Sequence, residues 1–473
     1  MNKQKSGFVN KGTILILFIL LIGSVIGAIS SINFNIFLYL SILLIFIFLV
    51  FKWELTIYLL IIAVTFNGYI IPIGTVDIRP DNLICILSII SFIAYLLTSR
   101  KTKLYLHLPE ILFCIFLIYL SITTFFTSPI LSISIKGIIQ FILVFLSFIV
   151  MVQLKNLSKE ELYKFINFYI IIAFLQSLYG IVSFMLYTAF SLDIGGIQFG
   201  QVGSSVTING TFFEANLLGS FLSSSALLVL SLLVSKTHVK YQKLLIICLI
   251  TLIIGLFLSW TRSSWIGFII CGIFIAVYYK SQFINIKNIF IALILTFILG
   301  PVFVYLTRTF DIVSGREGFF LTKLTGLFDF ETGTGRYRLD RYVLAINDWS
   351  QHPLIGNGYF SIKKYDENEW IANTILTILH DAGLIGLVLF LLTFLIVLYK
   401  AHILIIKNKI GKVDRAYLVG LYVGLIQLLF SYNFTPGHTM AYFWVYSGLI
   451  YVFVLKLNST QNKGEKIKAD RYE

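Results

Sequence analysis

Three arginines lie close together in one polar stretch of an otherwise apolar sequence. Arg336, Arg338 and Arg341 occur in GRYRLDRYVLAINDWSQHPLIGNG, residues 335–358. A guanidinium group presents a planar set of donors that matches phosphate and carboxylate groups. On a helix, Arg338 and Arg341 would share a face and Arg336 would lie near the start. The stretch predicts a site for a polyanion, and intrahelical pairing with Asp340 is the alternative.

Polar residues also occur at two places where a loop meets an apolar helix. In NGTFFEANLLGS, Glu214 and Asn216 come at a predicted helix start. Asn is a common helix cap, whereas a carboxylate at the membrane boundary favours a polar cavity. In LSWTRSSWIG, Arg262 lies in a connection of a few residues between two apolar helices. This position favours the mouth of a cavity in a helix bundle.

Two further breaks in the helical pattern contain candidate residues. YNFTPGHTMAYFW places His438 after a Pro–Gly break, where a hydrogen-bonded loop histidine is a more common interpretation than a catalyst. Gly356-Asn357-Gly358 is interpreted as a backbone turn after a helix over 338–350 that Pro353 ends. No strand precedes this turn and no Gly-Lys-Ser/Thr follows it, so it does not indicate a nucleotide site.

The elements that must position these residues are membrane helices. The chain has 473 residues, of which 58% are apolar and only 12% charged, so an ordinary soluble domain is excluded. Apolar runs of about 20 residues recur, which is the length that spans a hydrocarbon core. We therefore predict an all-α polytopic membrane protein with about 14 transmembrane helices (range 12–14). The predicted spans are 12–31, 34–51, 54–73, 82–98, 109–127, 135–153, 163–188, 214–234, 244–259, 265–280, 288–307, 372–399, 416–433 and 440–456.

The basic residues predict the orientation of these helices. With the N-terminus inside, 25 of the 36 Lys and Arg residues fall on cytoplasmic segments, as the positive-inside rule requires. Both termini are then cytoplasmic, the protein is a multi-pass protein of the plasma membrane, and the first span is a retained anchor. Orientation and contact with anionic membrane lipids account for the formal charge of +14, so no nucleic-acid partner is expected.

The two predicted sides differ in the kind of basic residue that they hold. Only three of the 25 inner basic residues are Arg, whereas seven of the 11 outer ones are Arg. Lys suffices for topology, so outer Arg residues indicate a phosphate or diphosphate ligand; pairing with Asp329, Glu331, Asp340 or Asp348 is the alternative. The outer arginines are Arg79, Arg262, Arg308, Arg316, Arg336, Arg338 and Arg341.

The chain reads as a single domain without an internal repeat. Residues 1–307 contain predicted helices 1–11, and residues 372–456 contain helices 12–14. Residues 308–371 form a long outer loop, which we expect to be an ordered extracytoplasmic cap with short helices. Residues 457–473 form a cytoplasmic tail.

These motifs together resemble the O-antigen ligase/polymerase superfamily of bacterial polysaccharide membrane enzymes. The segment GRYRLDRYVLAINDWSQHPLIGNGYF, followed by NTILTILHDAGLIGLVLF, is similar to the family's arginine helix, Pro-x-x-Gly-x-Gly turn and Asn-led helix ending in Gly-x-x-Gly. GTFFEANLLGSFL is similar to its Gly-x-Phe-x-x-x-Asn helix start, and TRSSWIG to its Ser/Thr-Arg-Ser segment. The resemblance spans about residues 205–390.

The resemblance implies a GT-C-like fold and a metal-independent, inverting glycosyltransferase that needs no cofactor. Its donor would be an undecaprenyl-diphosphate-linked oligosaccharide, used at the outer leaflet with a glycan acceptor, and other polysaccharide-assembly proteins are further candidate partners. Carried over to this sequence, Arg262 and Arg338 would grip the diphosphate, with Arg336 as the alternative register. The remaining expected substrate-binding residues are Arg341, Asn216, Asn373, Arg79 and His438.

One position departs from the family pattern. Ligases of the family often carry His before the Asn of the Asn-led helix, whereas this chain has Ala372 before Asn373. The departure favours a polymerase over a ligase. Glu214 is the first candidate for the missing base, ahead of Glu369, His352 and His438.

A flippase or other transporter for lipid-linked oligosaccharides is a third reading. A transporter would distribute charges through the middles of its helices and often repeat its segments. Here the charges collect at one predicted face, which favours an enzyme.

Overall fold

In the computed structural model, the described residues are 45–73, 76–98, 104, 106–199, 206–237, 241–279, 333–366, 369–407 and 410–469. The helices are α1 (Trp53–Ala63), α2 (Pro80–Thr98), α3 (Leu108–Thr127), α4 (Leu131–Val152), α5 (Lys159–Phe190), α6 (Ala215–Val234), α7 (Gln242–Leu258), α8 (Arg262–Tyr278), α9 (Gly333–Trp349), α10 (Thr374–Lys407), α11 (Lys412–Ser431) and α12 (Ala441–Ala469). Two short antiparallel hairpins pair β1 (Ile71–Ile73) with β2 (Val76–Ile78), and β3 (Ile197–Phe199) with β4 (Val206–Ile208).

The helices agree with the predicted class of protein. Within the described ranges, eight helices are long and apolar enough to cross a membrane, and α1, α7 and α8 are shorter apolar helices. The protein is thus a mostly helical, multi-pass membrane protein. The predicted spans 12–31 and 288–307 lie outside the described residues, and span 34–51 is described only from residue 45.

The predicted span 54–73 is wrong in its second half. Helix α1 ends at Ala63, and the chain then turns at Asn67 and Gly68. The Asn67 Oδ1 atom accepts a hydrogen bond from Phe213 N at 2.9 Å, and Gly68 N donates to Thr211 O at 3.1 Å. This pairing with the chain that leads into α6 replaces the next helical turns, although the sequence there remains apolar.

The core of the bundle is formed by α6, α11 and α12, whose side chains are mostly buried. Small residues allow these helices to approach closely, as is common between membrane helices. A methyl group at Gly424 of α11 would overlap the hydroxyl of Tyr446 on α12, and one at Gly420 would overlap Leu228 of α6. These glycines therefore set the spacing of the three central helices.

The peripheral helices expose apolar side chains along their outer faces. On α3, Ile111, Ile115, Ile118 and Ile122 are each more than 40% exposed. They recur at helical spacing and form a continuous stripe. A stripe of this size in water would be unusual, so it is interpreted as a surface that contacts lipid.

One end of the bundle carries the loops and the polar helix α9. This end, at which α6, α8, α10 and α12 begin, is called the site end. Helix α9 begins at Gly333, five residues before the predicted start, and packs against α10. Its small apolar contact comprises Ala345 with Ile362 and Ile371, separate from the main core. Residues 333–366, which belong to the segment between the predicted spans 288–307 and 372–399, thus contain α9 and the turn that follows it.

Candidate functional site

Glu214 lies at the entrance to α6. It precedes Ala215, the first residue of the helix, and its backbone is extended. Burial raises the pKa of the Glu214 carboxyl group, while the positive charge on Arg338 and a hydrogen bond from Asn216 partly oppose this effect. Glu214 and Asn216, at the start of α6, thus lie near Arg338 of α9, which is distant in the sequence.

Arg262 reaches the same place from the turn between α7 and α8. The Thr261 Oγ1 atom donates a hydrogen bond to Ala215 O at 3.0 Å, and it lies directly against Gly219. The turn is therefore held to the first turn of α6. Burial lowers the pKa of the Arg262 guanidinium, and the positive charge on Arg338 lowers it further. Two arginines close enough to repel each other favour a multivalent anion between them.

Tyr342 and Asn373 complete the group from α9 and the start of α10. Tyr342 follows Arg338 by four residues and therefore shares its helix face. The Tyr342 hydroxyl lies 3.1 Å from Ala372 O and 3.4 Å from Asn433 O. Burial raises the pKa of Tyr342, and the charge on Arg338 and a hydrogen bond with Asn373 oppose this. Tyr342 was not among the residues predicted from the sequence, although its spacing from Arg338 could have indicated it.

These side chains form one polar site, which we call the arginine cluster. Four elements of the chain supply it: the start of α6, the start of α8, α9 and the start of α10. It comprises Glu214, Asn216, Arg262, Arg338, Tyr342 and Asn373. Arg338 lies near both Glu214 and Arg262. The two guanidinium groups can bind a polyanion, and the carboxylate can accept a proton from a hydroxyl next to it.

The other two arginines of the opening stretch have partners outside the arginine cluster. Arg341 Nε lies 2.7 Å from Glu369 Oε1, and its guanidinium lies over the Tyr337 ring at 4.8 Å. Arg336 Nε lies 3.5 Å from Asp340 Oδ1, and both side chains are exposed. Both residues therefore form ion pairs within the protein, which was the alternative to binding a polyanion.

Arg79 and His438 also contact residues that are not part of the arginine cluster. Arg79 Nε lies 3.2 Å from Asp81 Oδ1, and its Nη2 donates to Thr439 O at 3.3 Å. His438 is fully buried, and its Nδ1 lies 3.1 Å from Thr374 Oγ1. Burial lowers the pKa of His438 to about 3, so the imidazole is neutral at physiological pH.

Two of the candidate bases are occupied by other contacts. Glu369 Oε1 accepts a hydrogen bond from the Tyr337 hydroxyl at 3.0 Å in addition to its ion pair with Arg341. His352 Nδ1 lies 2.9 Å from Asn357 Oδ1. Among the four candidates that the sequence offered, Glu214 is the one beside Arg338.

The glycine turn after α9 is joined to a kink in α10. Asn357 N donates to His380 O at 2.9 Å, and Gly358 N donates to Asp381 O at 3.0 Å. Gly356, Gly358 and Gly383 all have positive φ values, which non-glycine residues rarely adopt. A Cβ atom at Gly383 would overlap the Leu354 carbonyl group. Both glycine motifs therefore serve to join the segment that follows α9 to α10.

A buried charged network lies beneath the same junction. His380 Nε2 lies 3.4 Å from Asp348 Oδ2, and its Nδ1 lies 2.7 Å from Asp381 Oδ1. Lys364 Nζ is 3.0 Å from Asp348 Oδ2, and the Tyr365 hydroxyl donates to Asp348 Oδ1 at 2.8 Å. Burial raises the pKa of Asp348, but the hydrogen bonds from His380, Lys364 and Tyr365 outweigh it and hold the pKa well below its ordinary value.

This network was not predicted from the sequence. The pair His380-Asp381 directly before the kink at Gly383 was the available signal, since adjacent charged residues in an apolar helix require partners. Within the described ranges, no group of three or more His, Cys, Asp and Glu side chains could hold a metal ion, and this includes the network around Asp348.

The fold and the arginine cluster define a polytopic helical membrane protein with a polar site at one end of its bundle. The family model described as O-antigen ligase matches residues 247–391. The matched range contains Arg262, Arg338, Asn373 and the two glycine motifs. The match confirms the resemblance to the O-antigen ligase/polymerase superfamily. No curated protein matches the chain.

Proposed function

We propose that the protein is a polysaccharide polymerase that transfers a glycan from undecaprenyl diphosphate to a lipid-linked repeat unit at the outer leaflet. The match to O-antigen ligase supports glycan transfer in the cell envelope and a glycosyltransferase-like activity. The observation that carries the finer proposal is the position of Arg338, whose positive charge acts both on Glu214 and on Arg262. This arrangement suits a diphosphate and a hydroxyl nucleophile.

In the proposed reaction, the two arginines stabilise the leaving group. The acceptor hydroxyl attacks the anomeric carbon from the face opposite the diphosphate. The new C–O bond forms as the bond to the diphosphate breaks, so the configuration inverts and undecaprenyl diphosphate leaves with the bonding electrons. Fixed guanidinium groups where negative charge develops stabilise the transition state more than the bound donor.

Glu214 is the proposed acceptor of the hydroxyl proton. Its carboxylate has a raised pKa, and a more basic carboxylate accepts a proton more effectively near neutral pH. Asn216 and Asn373 would orient Glu214 and Tyr342. The arginines would supply the charge that neutralises the diphosphate, so transfer is expected to persist in the presence of a chelator.

The proposed topology has about 14 helices of a GT-C-like arrangement, with the site end extracytoplasmic and both termini cytoplasmic. The distribution of Lys residues supports this orientation. Lys155 lies in the connection from α4 to α5 and Lys159 begins α5, on the side opposite the site end, and Lys456 Nζ donates a hydrogen bond to Lys155 O at 3.3 Å. Lys400 lies in the last third of α10, which begins at the site end. Such basic residues mark the cytoplasmic side.

The polymerase is favoured over a ligase by Ala372, which replaces the histidine that ligases of the family carry. Transfer to another cell-envelope acceptor is the second candidate, because the matching family is described as O-antigen ligase. Glycan length in a deletion strain distinguishes them. Loss of a polymerase leaves single repeats, loss of a ligase leaves long unattached chains, and loss of a flippase leaves units inside the cell.

The central test uses purified protein and lipid-linked repeat units. Arg262→Ala and Arg338→Ala are expected to lower glycan extension at least about a hundredfold, because each removes a charge that stabilises the leaving group. Arg336→Ala is the matched control, since this arginine lies on the same helix but pairs with Asp340. Extension at the wild-type rate by both cluster variants would refute the proposed diphosphate site.

A further inference from the structure

A buried glutamine of the bundle lies outside the arginine cluster but contacts the chain that leads into it. Gln176 belongs to the membrane helix α5 and is 7% exposed. Its Nε2 atom donates to Thr65 Oγ1 at 3.0 Å, and its Oε1 atom accepts from Thr211 N at 3.3 Å. The Thr211 Oγ1 atom lies 2.6 Å from Thr65 O. A polar side chain is costly inside a membrane helix, and hydrogen bonds at both ends of the amide offset this cost.

These contacts fix the segment that precedes Glu214. Thr211 lies three residues before Glu214, and its carbonyl oxygen accepts a hydrogen bond from Gly68 N at 3.1 Å. A Cβ atom at Gly68 would lie only 2.9 Å from the same oxygen. Phe213 N donates to Asn67 Oδ1 at 2.9 Å. The segment is therefore held on two sides, by α5 and by the chain that follows α1.

A second glutamine holds the residue after Glu214. Gln198 lies on β3, and its Oε1 atom accepts a hydrogen bond from Ala215 N at 3.0 Å. This N–H group belongs to the first turn of α6, where the helix itself supplies no acceptor. A carboxylate just before a helix can accept from such groups, yet among the described residues the Glu214 side chain makes no capping hydrogen bond. Gln198 therefore leaves the carboxylate available to the arginine cluster.

We propose that Gln176 and Gln198 are positioning residues for Glu214. Gln176 fixes the segment before it, and Gln198 takes the place of its carboxylate as the cap of α6. The inference rests on the proposed function and adds the residues that keep the proposed base near Arg338. Neither amide belongs to the arginine cluster, so their loss should lower kcat for glycan extension and leave KM for the lipid-linked donor within about twofold of the wild type.

Gln198→Ala tests the cap. It leaves the Ala215 N–H group without its acceptor, and the adjacent Glu214 carboxylate can then replace Gln198. A carboxylate that accepts backbone N–H bonds has a lower pKa and is a weaker base. The acidic limb of the kcat profile should therefore move to lower pH, and the plateau should fall at least about tenfold, since the carboxylate is also turned from its position.

The acidic limb can be assigned to Glu214. Arg338 of α9 and Tyr442 of α12 are the ionisable side chains that interact electrostatically with it. Neither an arginine nor a tyrosine changes its charge between about pH 4 and pH 8. Glu214→Gln should accordingly lack the limb and extend glycans slowly at every pH in this range.

Two further variants of the hairpin control for its general loosening. Gln198→Glu keeps an acceptor of the same reach and adds a negative charge near Glu214, which raises the pKa of a carboxyl group. It should retain most of the plateau activity and move the limb to higher pH, opposite to Gln198→Ala. In Thr207→Val the pairing of Thr207 with Gln198 across the hairpin loses a hydroxyl that donates to Gln198 O at 3.2 Å. This variant should keep the wild-type limb.

Gln176→Leu tests the segment before Glu214. It removes both hydrogen bonds of the amide, so hydrogen exchange of residues 209–218 should increase and kcat should fall at least about tenfold. Gln153→Leu is the matched control, because Gln153 is also buried but follows α4 at the opposite end of the bundle. It should leave both readouts unchanged. Gln198→Ala changes a half-buried strand residue and keeps the proposal testable if Gln176→Leu does not fold.

Three results obtained with active wild-type protein would overturn the positioning role. The first is wild-type kcat and an unmoved limb in Gln198→Ala. The second is an equal shift of the limb in Gln198→Ala and Thr207→Val. The third is a limb that persists in Glu214→Gln. Absence of extension by the wild type would instead contradict the proposed function, and exchange of residues 209–218 in Gln176→Leu and Gln153→Leu would then still test the contact. The two failures are therefore distinguishable.

Discussion

The central bundle and the α9 region are held together by different forces. Helices α6, α11 and α12 interlock through buried apolar side chains and close glycine contacts. Helix α9 has a small apolar contact, and its position depends on ion pairs and hydrogen bonds made by Asp348, Arg341 and Tyr342. Apolar contacts are numerous and non-directional, whereas these polar contacts are few and specific.

This difference divides the arginine cluster into two halves. Glu214, Asn216 and Arg262 belong to helices of the bundle, and Arg338 and Tyr342 belong to α9. The bundle therefore fixes one half of the site, while a small number of polar contacts fixes the other. Substitutions in the bundle should affect the stability of the whole protein, and those in the α9 region should affect the position of Arg338 first.

The largest effect on stability is expected from Trp444→Ala in the bundle. The Trp444 ring is fully buried and contacts the rings of Phe113, Phe145 and Phe394. Its removal leaves a cavity, which should cost about 3–5 kcal/mol. Thermal unfolding in detergent measures this effect, and Trp349→Ala in α9 is the control. An equal loss in both variants would contradict the proposed division.

A smaller and local effect is expected from Asp348→Ala. The change leaves His380 and Lys364 without their shared carboxylate, and breaking such a buried pair costs about 3 kcal/mol. The loss should fall on α9, so hydrogen exchange of residues 333–349 should increase while the bundle stays protected. Glycan transfer should decrease together with the protection of α9. The variant Asp348→Asn should retain part of the protection and part of the transfer activity. Faster exchange throughout α6 and α11 would argue against a local role.

The contribution of Asp348 should also depend on pH. Its pKa is lower in the folded protein than the ordinary value of 3.8, so the folded state favours the carboxylate. Its contribution is therefore fully present above the unfolded pKa and is lost as pH falls through the folded pKa. Protection of α9 should be constant near neutral pH and decrease below about pH 4. The variant Asp348→Asn should lack this decrease.

The smallest effects are expected from the more exposed arginine pairs. Arg341→Ala removes a half-buried pair with Glu369 and should cost about 1 kcal/mol, and Arg336→Ala removes an exposed pair worth about 0–0.5 kcal/mol. Thermal unfolding at low and high salt should reveal the Arg341 pair and show almost no change for Arg336. The Arg341 pair is more buried than the Arg336 pair. A larger loss of stability in Arg336→Ala than in Arg341→Ala would contradict the expectation that the more buried pair contributes more.

The sequence by itself determined the helical membrane class, because lipid requires long apolar helices whose backbones bond internally. It also selected Glu214, Asn216 and Arg262, since polar residues at the ends of apolar membrane helices are costly to bury. Arg338 and Asn373 were selected by their resemblance to the motifs of the family. Local composition could not separate Arg338 from Arg336 and Arg341, because all three have the same chemistry and nearly the same neighbours.

Only the tertiary structure decided which side chains meet. Arg338 lies beside Glu214 and Arg262 because the glycine turn and the kink at Gly383 fix α9 against α10. The same folding gives Arg341 its partner Glu369 and buries His438 behind Thr374. These contacts join residues far apart in the chain, and their distances depend on how the helices pack, which the local sequence pattern does not contain.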